Sequence, residues 1–121
     1  MKSGRDKRIA EEIRREVSQI LHYELSDPRI SGATVTGVKV SPDLRLARVY
    51  YALPGAEEKK AAAAAGLKKS EGFVRHLLTE RLDMKFSPRV EFFYDESFEI
   101  DEKIQKIFAK MPPGPEESDS D

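Results

Sequence analysis

The chain has 121 residues, no cysteine, and 21 Lys+Arg against 22 Asp+Glu. That length suits one domain with its own core, and the missing thiols exclude disulfides, cysteine-ligated zinc and thiol catalysis. The net charge of −1 conceals an asymmetry, because residues 1–90 hold 18 Lys+Arg against 12 Asp+Glu and residues 91–121 hold 3 against 10.

Ser3 or Asp6 is placed to cap a first helix, on which Ile9, Ile13, Val17, Ile20 and Leu21 form one apolar stripe. Arg8, Arg14, Arg15 and His22 lie opposite, mixed with Glu11, Glu12 and Glu16. Asp27-Pro28-Arg29 stops that helix, since a residue before proline avoids the helical region. Ile30 to Thr34 reads as a loop. Val35 to Val40 and Leu46 to Ala52 read as strands, rich in β-branched and aromatic residues. Alternation puts Val38 and Val40 on one face, Ala47, Val49 and Tyr51 on one face, and Arg48 and Tyr50 on the other. Ser41-Pro42-Asp43-Leu44 favours a type I turn, so the pair is expected to be antiparallel. Gly37 inside the first strand suggests a bulge.

The alanine-rich stretch from Ala56 to Leu67 is the strongest helix-forming composition in the chain. Phe73, Val74, Leu77, Leu78 and Leu82 then continue at helical spacing. Between them, Ser70-Glu71-Gly72 predicts a break: Ser70 as the cap of a new helix, and Gly72 as a point of close backbone approach. Free amides flanked by Lys68, Lys69 and Arg75 would then seat a phosphate. Arg89 to Tyr94 reads as a third strand, with Val90 and Phe92 on one face. Phe98, Ile104, Ile107 and Phe108 mark a weakly packed terminal helix. Pro112-Pro113-Gly114-Pro115 cannot continue a helix and 116–121 is acidic, so 111–121 is expected to be a disordered acidic tail.

Catalytic chemistry finds little support. His22 and His76 sit in no nucleophile or metal motif, and the glycines form no phosphate-loop or dinucleotide fingerprint. Glu91, Asp95, Glu96, Glu99 and Asp101 are dense in carboxylates, but a solvated acidic rim explains them more simply than a metal or acid/base site. No metal or cofactor is expected. Met1 to Arg8 is charged with no apolar stretch behind it, and no run approaches a membrane span, so a cytoplasmic chain without a membrane partner is expected. What remains is a basic body suited to a polyanion.

Several strings point further. They are Arg8-Ile9-Ala10-Glu11-Glu12-Ile13-Arg14-Arg15-Glu16, Asp27-Pro28-Arg29 and Val35-Thr36-Gly37-Val38-Lys39-Val40-Ser41-Pro42-Asp43-Leu44-Arg45. They continue with Ala47-Arg48-Val49-Tyr50, Gly72-Phe73-Val74-Arg75 and Pro88-Arg89-Val90-Glu91-Phe92. In order and spacing the chain resembles the ribosome-binding factor A family, bacterial assembly factors of the small ribosomal subunit, over residues 5–110. The resemblance implies an α+β, type II KH-like domain over residues 1–110, ordered α-β-β-α-α-β. It has a three-stranded sheet, helices on one face, and a helix–kink–helix in place of the Gly-x-x-Gly loop. It implies a non-enzymatic monomer that binds immature 30S particles, assists late 16S rRNA processing, supports growth in the cold and shares the subunit with assembly GTPases. The family's Ala-x-Gly interruption reads Ser70-Glu71-Gly72 here, and Glu71 would repel a phosphate. The candidate RNA contacts are Arg8, Arg14, Arg15, Arg45, Arg48, Lys68, Lys69, Ser70, Gly72 and Arg75, expected on one surface. Two rival readings stand beside this one: a protein–protein adaptor working through the acidic C-terminal part, and a small α+β enzyme using the carboxylates near Asp95.

Overall fold

The computed structural model describes residues 2–85 and 87–110, so the tail expected over 111–121 lies outside the described residues. The elements are α1 (Lys2–Gln19), β1 (Thr34–Val40), β2 (Leu46–Ala52), α2 (Glu57–Leu82), β3 (Arg89–Tyr94) and α3 (Glu96–Lys110). α1 starts ahead of both expected caps. It ends in a π-type turn over Ile20–Glu24 that keeps Ile20 and Leu21 in the core. Asp27 then caps a short 3-10 turn, Pro28–Ile30, by accepting from the Arg29 amide at 2.9 Å.

The sheet order is β1-β2-β3. β1 and β2 pair antiparallel, with the register shifting between Val35 and Gly37, so the bulge expected at Gly37 is present. Their turn is fixed by Ser41, whose carbonyl accepts from the Leu44 amide at 2.9 Å. Its hydroxyl accepts from the Leu46 amide at 3.0 Å. β3 joins β2 in parallel, which no tight turn can achieve; α2 supplies the crossover.

The alternation read from the sequence sorts the strands. Ala47, Val49 and Tyr51 are at most 3% exposed, and with Val35 and Val90 they form the face on which Ile13, Val17, Leu67, Val74 and Leu78 pack. Val38, Val40, Leu77 and Phe92, on the apolar faces of their elements, are only half-buried at the margin of this core. α3 packs lightly: Ile100, Ile104, Ile107 and Phe108 stand exposed.

One expectation is corrected. The two helices expected around Ser70-Glu71-Gly72 are one helix of 26 residues, so the order is α-β-β-α-β with α3 appended. Ala63, Leu67, Val74 and Leu78 form one continuous buried stripe through the junction. Gly72 falls on the opposite side, where a built Cβ would meet nothing within 4 Å. A solvent-facing glycine costs a helix only about 1 kcal/mol, less than burial of a single leucine returns.

Candidate nucleic-acid interface

Because α2 is continuous, Ser70 frees no helix-start amides. Its hydroxyl donates to the Leu67 carbonyl one turn back, at 2.9 Å. Gly72 touches nothing and fixes no angle between two helices. The phosphate seat expected there is therefore not built from backbone. Glu71 is turned away: its carboxylate accepts from the Phe92 amide on β3 at 3.3 Å. The repulsion expected from it is directed at the sheet edge, and Lys68 and Lys69 are left exposed on the helix with no ion pair among the described residues, although the charge of Lys69 helps to hold the Asp27 carboxyl low.

Arg75 is committed elsewhere. Its guanidinium donates to the Ser87 hydroxyl at 2.9 Å and to the Ser87 carbonyl at 2.8 Å, fastening the α2–β3 connector. Thr79 closes the same cluster, 2.6 Å from the Ser87 hydroxyl. On α1, Arg14 is bound to Glu11, and that hydrogen bond holds the Glu11 carboxyl below its ordinary range. Arg8 and Arg15 are exposed and make no ion pair among the described residues. On the hairpin, Arg45 lies 3.9 Å from Asp43 with its side chain 79% exposed, so that contact neutralises little.

Arg48 belongs to a different surface. It alternates with Ala47 and Val49, and so projects from the sheet face opposite to α1 and α2. The ten candidates thus do not form one surface. Arg8, Arg15, Lys68 and Lys69 are solvent-facing on the helical side, Arg45 is exposed at the hairpin turn, and Arg48 lies on the open side of the sheet. Arg14 and Arg75 are tied into pairs, and Ser70 and Gly72 serve the helix alone.

Other basic residues are structural. Arg81 bridges α2 to the end of α1, 3.6 Å from Glu16 and 2.7 Å from Glu24. Arg29 clasps Asp27 at 2.7 Å directly against Gly66, where a Cβ would lie 2.9 Å from Asp27 Oδ2. Lys39 and Arg89 are exposed on the same open sheet face as Arg48, and neither stands among the ten candidates. The signal for Arg89 was present in the sequence, since it alternates with Val90 as Arg48 does with Val49.

The carboxylates near Asp95 do not converge on a reaction centre. Asp95 accepts from Thr36 and Ser97 hydroxyls at 2.5 Å each and from the Phe98 amide at 3.2 Å. It caps α3, and the Ser97 bond, then the Thr36 bond, hold its carboxyl below the ordinary range. No group of three metal-binding side chains occurs among the described residues. His76 lies 3.5 Å from Glu80, and both are exposed.

The family profile described as Ribosome-binding factor A matches residues 5–108. The chain belongs to this family. It is 42% identical over 120 residues to a ribosome-binding factor A of Desulfatibacillum aliphaticivorans, covering 97% of this chain and 98% of that protein. Its fold is similar to the crystal structure of ribosome-binding factor A from Thermus thermophilus, with a TM-score of 0.66 and 27% identity over 74% of this chain and 94% of that one. It is also similar to a Thermus thermophilus ribosome binding factor A homology model fitted into a cryo-EM map of a 30S complex. There the TM-score is 0.61 and the identity 28%, over 72% of this chain and 91% of that one. The family is one of non-enzymatic ribosome-binding factors, and the enzyme reading falls with it.

Proposed function

We propose that this chain is a maturation factor that binds free immature small ribosomal subunits and assists late processing and folding of 16S rRNA near the 5′ helix and the decoding region. It acts as a KH-like monomer in the cytoplasm, alongside assembly GTPases, and its contribution is greatest in the cold. The observation that carries the reading is the sorting of the basic residues. The fold uses Arg14, Arg29, Arg75 and Arg81 in pairs and leaves Arg8, Arg15, Lys68 and Lys69 pointing at solvent. Such cations fix a protein on phosphates without reading sequence, and the specificity comes from the folded shape of the rRNA.

The adaptor reading keeps one observation of its own, the exposed apolar side of α3. Salt separates the two. In sedimentation with purified precursor and mature small subunits, an RNA contact is expected to favour the precursor and to weaken steeply with salt. Binding that is indifferent to both salt and subunit maturity would overturn the RNA reading in favour of the adaptor.

A further inference from the structure

The sheet face opposite α1 and α2 carries a cluster that the fold does not explain. In register, Gly37 stands opposite Tyr50, and Tyr50 opposite Phe93. One row along, Lys39 stands opposite Arg48. The Tyr50 and Phe93 rings lie 5.8 Å apart at 34°. Lys39 Nζ sits 5.9 Å from the centre of the Tyr50 ring. Phe93 is 41% exposed on a strand whose other aromatic residues, Phe92 and Tyr94, turn toward the core. A single exposed ring needs no explanation, but two neighbouring rings framed by cations on an unpacked sheet face are a shaped surface.

We propose that this face is a stacking platform for single-stranded RNA, with bases on Tyr50 and Phe93, phosphates held by Lys39 and Arg48, and Arg89 neutralising the neighbouring Glu91. The occupant follows from charge and shape. The three cations are exposed, and Glu91, the acid among them, is met by Arg89 at 3.1 Å. Aromatic rings beside cations accept the face of any unpaired base, whereas a duplex keeps its bases stacked inside. Gly37 leaves the edge of the platform open: a Cβ there would meet nothing within 4 Å. A larger residue at that position would stand beside the Tyr50 ring. The platform rests on the RNA reading above and adds to it a second contact, on the side of the sheet away from Lys68 and Lys69. It would hold an unpaired segment of a precursor transcript while the helical side rests on folded RNA.

The test is fluorescence anisotropy of the full chain with a labelled ten-nucleotide oligoadenylate and with a duplex of the same length. The wild type is expected to prefer the single strand. Phe93→Ala is expected to weaken that binding about tenfold, the typical contribution of one stacked base, with Phe93→Tyr restoring it. Gly37→Glu, which adds a carboxylate at the platform edge, is expected to weaken it as well. If Tyr50→Ala lowers the melting temperature, the exposed Phe93 and Gly37 variants decide alone. Equal single-strand binding by wild type and both of those variants overturns the platform. So does a concentration-dependent dimer that Phe93→Ala abolishes, because the face is then an interface between copies. Loss of the platform with salt-sensitive sedimentation on small subunits intact leaves the broader function standing. Failure of the wild type to sediment with subunits removes that broader reading instead.

Discussion

On the helix-covered face of the sheet, Ala47, Val49 and Tyr51 are at most 3% exposed, whereas the opposite face exposes Lys39, Arg48 and Arg89 with Phe93 at 41%. The same strands supply both, because successive side chains point to opposite faces. One face is chemically committed to the fold and the other is free to bind. Substitutions on the first should therefore be read in stability, and substitutions on the second in RNA affinity with stability nearly unchanged.

The largest expected effect lies on the covered side. Leu78 is fully buried, so Leu78→Ala should remove about 2–5 kcal/mol in a denaturant titration. Leu77, next to it but only half-buried, should lose clearly less on the same change. Equal losses would show that the helix face is assigned wrongly.

A sharper contrast comes from two glycines of α2. Gly66 lies against the Asp27–Arg29 clasp, with 2.9 Å from a built Cβ to Asp27 Oδ2, 3.3 Å to Ile30 and 3.4 Å to Arg29. Asp27 is short and pinned by Arg29, so it cannot swing aside freely. Gly66→Ala should lose about 1 kcal/mol or more despite the better helix propensity of alanine. Gly72→Ala, on the open side, should gain about 1 kcal/mol. Thermal melts of the two variants are expected to move in opposite directions.

The smallest effect is a pH dependence at the foot of α3. The ionised Asp95 carboxylate accepts bonds from Thr36, Ser97 and Phe98, and its folded value is lowered from 3.8. Its contribution is therefore complete above the unfolded value and is lost as pH falls through the lowered folded one. Circular dichroism should show α3 helicity declining on acidification below pH of about 4, and Asp95→Asn should blunt that decline. Helicity that rises on acidification would contradict the cap.

The hairpin, its turn, the Gly37 bulge and the third strand were legible in the sequence, because alternation and turn chemistry act over neighbouring residues. The continuity of α2 was not. Ser70 and Gly72 carry the local marks of a boundary, and only the buried stripe from Ala63 to Leu78, which needs the sheet to exist, overrides them. The site was legible as an excess of positive charge and no further. Which arginines are already engaged is decided by partners distant in sequence: Ser87 for Arg75, and Glu16 and Glu24 for Arg81. For Glu71, the partner that turns it from the helix surface is a backbone amide of β3.

The central claim is that basic side chains left free by the fold hold the RNA. Reversing Lys68 and Lys69 together to Glu, with Arg75 kept because it fastens the connector, isolates that claim. Sedimentation with precursor small subunits should then be measured across salt, with melting checked alongside. The expected result is a melting temperature lowered only slightly, by the charge lost beside Asp27, with weaker binding and a log–log salt slope shallower by about 2, one for each phosphate no longer neutralised. Unchanged affinity and slope in a folded variant would contradict it.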